Sequence, residues 1–197
     1  MRNFVCLVLM LCWRWSAVYA QEPTRVQAWE QGNACQNEWR LRDSRVFSRL
    51  EGSWKGTWTR YDAQGLPQPY VIDGKAVRVK TSVLTQRIDD VKNIWLQSNF
   101  YPQLDFTRHF LGTVTGPGQV SYANREGEGY DDYDAVATEY DDYHILFVVK
   151  HKQSGKVIYT EDISLITVDE RTRVGRRYHP DTGAFLGVTV VRELRVM

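Results

Sequence analysis

From Ser53 onward, apolar and polar residues alternate with a period of two, the spacing of strands rather than helices. "SWKGTWTRYD" sets Trp54, Gly56 and Trp58 against Lys55, Thr57 and Thr59. After the turn-forming "AQGLPQ" come "YVIDGKAVRVKTSV", "VKNIWLQSNFY", "LDFTRHFLGTV", "QVSYAN" and "DAVATEY". "YHILFVVKH", "KVIYTEDISLITV", "RTRVGRRYH" and "AFLGVTVVRELRV" complete the series. The separators "TGPG", "REGEGYDD", "KQSGK", "DE" and "PDTG" carry the residues that make turns. About ten strands joined so closely, with no helix long enough to cross over between them, predict an all-β fold of antiparallel neighbours, either a barrel or a sandwich. No segment repeats closely enough for a propeller or a solenoid.

A helical period occurs only before that series. In "ACQNEWRLRDSRVFSRLEG", Trp39, Val46, Phe47 and Leu50 recur at roughly helical spacing, and Gly52 comes next as a stop. The spacing predicts one short helix over 36–49, its apolar face covering one end of the strand assembly.

The side-chain rows favour a barrel with a lumen. Leu186, Val188, Val190 and Leu194 share a face that Arg192 interrupts. Leu104, Phe106 and Phe110 share one with Arg108, and Val174 and Tyr178 flank Arg176. A cation in an inward row is costly in a dry core, but a cavity that admits water or binds an anion can hold it. A one-residue slip at a bulge would instead turn any of these arginines to solvent.

Two stretches resemble lipocalin signatures. "EGSWKGTW", residues 51–58, holds Gly52-x-Trp54 at the start of the first strand, just after the short helix. "EYDDYHILFVV", residues 139–149, is similar to the second signature, with Glu139-Tyr140-Asp141 in place of its three residues. The third, an arginine that packs on the first-strand tryptophan, has Arg192, Arg195 and Arg176 as alternatives. The resemblance covers about residues 50–196 and lacks the lipocalin C-terminal helix; "GTWTRYDAQG" looks closer to bacterial and plastid lipocalin-like barrels than to classical carriers. It implies the calycin superfamily: a single antiparallel up-and-down β-barrel of about 8–10 strands with a short N-terminal helix. Gly52 and Trp54 are then structural positions, and the barrel binds or carries a small hydrophobic or amphipathic ligand.

The first 20 residues carry Arg2, an apolar run of about ten residues and Val18-Tyr19-Ala20, the layout of a secretory signal cleaved before Gln21. A bilayer span needs roughly 20 apolar residues, and the rest of the chain holds no such run. The expected organisation is a signal over 1–20, a leader with the short helix over 21–50 and the barrel over 51–197, in a secreted or exported protein. Losing Arg2 and Arg14 takes 25 basic residues to 23 against 24 acidic ones, a net charge of about −1. A near-neutral chain lacks the basic footprint of a nucleic-acid binder. Cys6 and Cys12 lie in the signal, so Cys35 remains alone, either free or linking two chains as a disulfide dimer.

Candidate chemistry is sparse. His109, His144, His151 and His179 show no metal spacing, and no GxSxG or HExxH occurs. An inward His109 or His144 is a candidate haem ligand, and either, or Tyr178, a titratable group for an isomerase or lyase reaction. Glu161 and Asp162 fall on opposite faces of one strand. The acidic run "EGEGYDDYD" to "EYDDYH" reads as solvated rim loops; its spacing fits no EF-hand, and no metal is assigned. The cofactor is left open. For ligand binding, Trp58, Trp95, Phe106 and Phe147 are expected on the apolar wall. Arg108, Arg176, Tyr178 and Arg192 are the expected polar groups, with Arg176 or Arg192 meeting a carboxylate through two parallel hydrogen bonds. A secreted interaction protein with a filled barrel is the remaining reading.

Overall fold

The computed structural model describes residues 39–124 and 132–196. The expected signal, most of the leader with Cys35, and the acidic run from 125 to 131 lie outside the described residues.

Thirteen strands succeed one another among the described residues: β1 (Gly52–Tyr61), β2 (Pro67–Gln68), β3 (Tyr70–Ile72), β4 (Lys75–Val77), β5 (Lys80–Asp89), β6 (Ile94–Tyr101) and β7 (Phe106–Gly116). β8 (Gln119–Asn124), β9 (Tyr133–Glu139), β10 (His144–His151), β11 (Val157–Leu165), β12 (Glu170–Tyr178) and β13 (Phe185–Val196) complete the chain. Ten of them, β1 and β5 to β13, pair antiparallel with their neighbours, and β13 returns to β1 from Ser53↔Val196 to Tyr61↔Val188. This is the closed up-and-down barrel that the resemblance implies, one of the two arrangements the alternating pattern left open. Closure leaves these ten strands no free edge. Among the described residues, no helix is long and apolar enough to cross a membrane.

The segment "YVIDGKAVRVKTSV" forms β3, β4 and the start of β5 rather than one strand. Asp73 and Gly74 both take positive φ, 48° and 74°, and fold β3 against β4 as a two-residue hairpin. Tyr70 and Ile72 of that hairpin pack with Trp58 and Val191 at one end of the barrel.

The predicted helix is shorter than its periodicity suggests. Its described part is a 3-10 turn at Leu41–Asp43 and a single α-helical turn, α1 (Phe47–Leu50). Extended backbone at Ser44 (ψ 139°) separates the two. Leu41, Val46, Phe47 and Leu50 are still all buried, against Trp54, Leu84, Trp95, Val120, Ile145 and Leu165. They plug the other end of the barrel.

Glu139 holds the plug in place. One of its carboxylate oxygens accepts from the backbone N–H of Val46 (2.8 Å) and Phe47 (2.9 Å), and from the Ser44 hydroxyl. A helix this short cannot sustain itself, so the anchor replaces length. Glu139→Ala is expected to cost about 2 kcal/mol, the value of hydrogen bonds to a charged group. A chemical denaturation midpoint equal to that of the unsubstituted protein would reject this role.

The faces of the last strands are the reverse of the expected rows. On β13, Leu186, Val190 and Leu194 are exposed, whereas Thr189, Val191 and Glu193 are buried inside. On β12 the inward residues are Arg171, Arg173 and Gly175, and Arg176 faces outward. Both faces of β13 carry apolar side chains, so hydrophobicity alone does not choose between them.

Candidate functional site

Above the plug, the strands enclose a half-open cavity of about 410 Å³. Its two sides differ in chemistry. β7 to β11 supply an aromatic and aliphatic wall that includes Phe110, Tyr122, Ile145, Phe147 and Ile163. Tyr122 meets Phe147 edge-on at 5.4 Å, and burial pushes the Tyr122 phenol up, so it stays protonated. β5, β6 and β12 supply a polar wall of Gln86, Gln97, Asn99, Arg171 and Arg173.

That polar wall belongs to a network buried inside the barrel. Arg171 donates through Nε to Glu193 and through Nη1 to Gln86 Oε1 at 2.6 Å. Arg173 donates to Glu161 at 2.6 Å and to Glu193 at 3.3 Å. The Tyr159 hydroxyl adds a bond to Glu161 at 2.8 Å, and Gln86 continues the chain to Gln97 at 2.7 Å. Two glycines make room for it. A Cβ on Gly175 would collide with the Tyr159 oxygen, and one on Gly56 would lie 3.2 Å from Glu193 Cγ. Two cations and two carboxylates make this quartet neutral, which is what allows it to be buried.

The network also rests on tryptophans. Arg171 lies 4.2 Å and Arg195 4.3 Å from the centroid of Trp54, whose indole N–H donates to the Leu50 carbonyl at 2.8 Å. Of the three arginines considered for packing on the first-strand tryptophan, Arg195 does so, and it also donates to the Glu51 and Arg49 carbonyls. Arg173 lies 5.3 Å from Trp58, whose N–H bonds Ser82 at 2.6 Å.

Positive charge is in excess toward the hairpin end. Lys80 pairs across strands with Trp58 and so projects to the same, inner side. Arg108 lines the cavity, and Arg60 lies over the Tyr70 ring at 4.6 Å. None of the three has an ion pair to a carboxylate among the described residues. Arg171 Nη2 and Arg173 Nε are buried without a hydrogen-bond partner among the described residues. An acceptor that enters the cavity therefore meets cationic donors that the protein leaves unused.

Of the expected ligand-binding residues, Trp58, Arg108 and Phe147 do line the cavity. Trp95 on β6 is buried against the plug, edge-on to Phe47 at 5.8 Å, and Phe106 stacks on Tyr101 at the rim, 41% exposed. Arg176, Tyr178 and Arg192 lie outside. Arg176 pairs with Asp162, Arg192 with Glu170 at 2.8 Å, and Tyr178 packs on Phe185. On β12 and β13 the inward row is the odd-numbered one, so the lumen holds Arg171, Arg173 and Glu193 in place of Arg176 and Arg192. Glu161 and Asp162 do take opposite faces. His144 pairs with Asp141 and stacks on Tyr140, and His109 meets Ser98 at 2.8 Å; neither lines the cavity. No group of three His, Cys, Asp or Glu residues suited to a metal occurs among the described residues.

No protein-family model matches the chain, and no curated protein matches it. Solved structures do. A protein of unknown function from the DUF3598 family of Nostoc punctiforme superposes with a TM-score of 0.53 at 21% identity, over 76% of this chain. The chain spans about half, 48%, of that protein's length. An S-type phycobiliprotein lyase from Guillardia theta gives a TM-score of 0.50 at 10% identity, over 76% of this chain and 90% of its own. These neighbours are lipocalin-like, calycin-type β-barrels. At such identities the likeness is one of fold.

Proposed function

We propose that this barrel is an exported binding protein for a small amphipathic anion, whose apolar body lies against Phe110, Ile145 and Phe147 while its acidic group faces Arg108 and Arg173. The observation that carries this reading is the two-sided cavity, with an aromatic wall opposite a wall whose cations outnumber its carboxylates. Apolar burial supplies affinity at about 25 cal/mol per Å², and charge-assisted bonds orient the head group. No chemistry is required for carriage. A leader with the layout of a secretory signal supports export. A barrel of the same fold that is named a phycobiliprotein lyase is compatible with a small-molecule role.

Trp58 in the wall provides a readout. Titration with decanoate is expected to quench its fluorescence, and Arg108→Gln to weaken decanoate about tenfold while leaving decanol unchanged, since one charge-assisted bond is worth about 1.5–3 kcal/mol. Equal loss for both ligands would remove Arg108 from head-group recognition. Saturating decanoate and decanol without any change in fluorescence, together with a bare polypeptide mass from its native source, would overturn the binding reading.

A further inference from the structure

We propose that Lys80 is a carbonyl-reactive amine, which captures an aldehyde or ketone group of a cavity ligand as an imine. The inference rests on the ligand-binding reading above and deepens it by naming a reactive group in that site.

Lys80 opens β5 beside Trp58 on β1, and its Nζ is enclosed by aromatic rings from three strands. It lies 4.7 Å from the centroid of Trp58, 5.2 Å from Tyr70 on β3 and 4.3 Å from Tyr101 on β6. Trp58 and Tyr101 also line the cavity, so two of the three rings around the amine border it, although Lys80 is not itself a lining residue. The charged groups that face it are Arg60 from β1, Arg108 from β7 and Arg173 from β12. The buried carboxylates Glu161 and Glu193 are engaged by Arg171 and Arg173. Burial first, and these like charges second, bring the Lys80 ammonium down to about 8. The other described lysines, Lys55, Lys75, Lys92, Lys150, Lys152 and Lys156, are exposed.

An amine so placed is partly neutral near physiological pH, and the neutral form is the nucleophile. Its lone pair adds to the carbonyl carbon to give a carbinolamine. The C–O bond then breaks, the oxygen leaves as water with the two amine hydrogens, and a C=N bond remains. Amine plus carbonyl gives imine plus one water, with no change of oxidation state, and hydrolysis reverses it. The three arginines favour the neutral imine, whereas the ring faces receive a protonated imine as readily as the ammonium it replaces. An acidic group on the same ligand would meet Arg108, holding the carbonyl near Nζ.

The test treats the full chain with decanal, traps the imine with cyanoborohydride and locates the attached decyl group by peptide mass mapping. One decyl group per chain is expected, on Lys80, with a labelling rate half-maximal near pH 8. Lys80→Arg, which keeps a cation in the aromatic cage, is expected to take no such label and to keep its thermal transition. Decanoate, which cannot form an imine, is titrated in parallel through Trp58 fluorescence. Labels spread over the exposed lysines, with Lys80 no faster at any pH while decanoate still binds, would overturn the imine and leave the binding protein standing. Loss of both decanoate binding and Lys80 labelling would overturn both readings together.

Discussion

Glu193→Gln is expected to destabilise the barrel by about 3–5 kcal/mol, among the larger effects of any single substitution. Glu193 is completely buried and accepts from both Arg171 and Arg173. An amide there leaves a net positive charge inside the barrel, beside an Arg171 that is almost wholly buried and has lost its carboxylate. With a urea dependence of about 2 kcal/mol per molar, the unfolding midpoint should fall by roughly 2 M. The double variant Arg171→Met with Glu193→Met removes both charges and should recover more than half of that loss, because desolvation and attraction disappear together. If the double variant is as unstable as the single one, packing around these side chains, and not charge balance, is what the network contributes.

Trp54→Ala is expected to cost a similar amount, about 3–5 kcal/mol. The indole is fully buried, touches the plug through its bond to Leu50 and receives Arg171 and Arg195 over its ring. Its removal therefore opens a cavity and takes away the surface on which the network's innermost cation rests. Trp54→Phe keeps a ring but leaves the Leu50 carbonyl without its donor, a smaller loss of about 1–2 kcal/mol. The order alanine, phenylalanine, tryptophan in thermal midpoints checks this; equal damage from both substitutions would mean that the hydrogen bond, rather than the volume, dominates.

The strands and their order were legible because each is a local signal, a period of two between turn-forming residues. "DG" at 73–74 was equally plain in composition, and it divides one expected strand into a hairpin and β5. The faces were not legible on β12 and β13. There the apolar row of Leu186, Val190 and Leu194 points outward, and the inward row mixes Thr189, Val191 and Glu193. Burial depends on partners distant in sequence: Glu161, Gln86 and Glu193 make a lumenal arginine tolerable, and no window of one strand contains all of them. The alternation Arg171-x-Arg173 was the available clue, with Glu161 and Glu193 as the acids that answer it. Lys80 escaped notice for the same reason, since its aromatic neighbours come from three other strands. Glu139, read as part of a signature, proves to anchor α1.

The β1–β13 seam bears on how the chain reaches this state. It joins Thr57 to Arg192, 135 residues apart, so the first strand must wait for the last before the cylinder exists. Contact order this high places refolding on the order of milliseconds to seconds rather than microseconds. Until the seam forms, the backbone donors and acceptors of β1 and β13 stay available to other chains, beside the outward Leu186, Val190 and Leu194 of β13. Aggregation during synthesis and refolding should therefore track the lifetime of the open sheet, and fall when closure is hastened or chains are kept dilute.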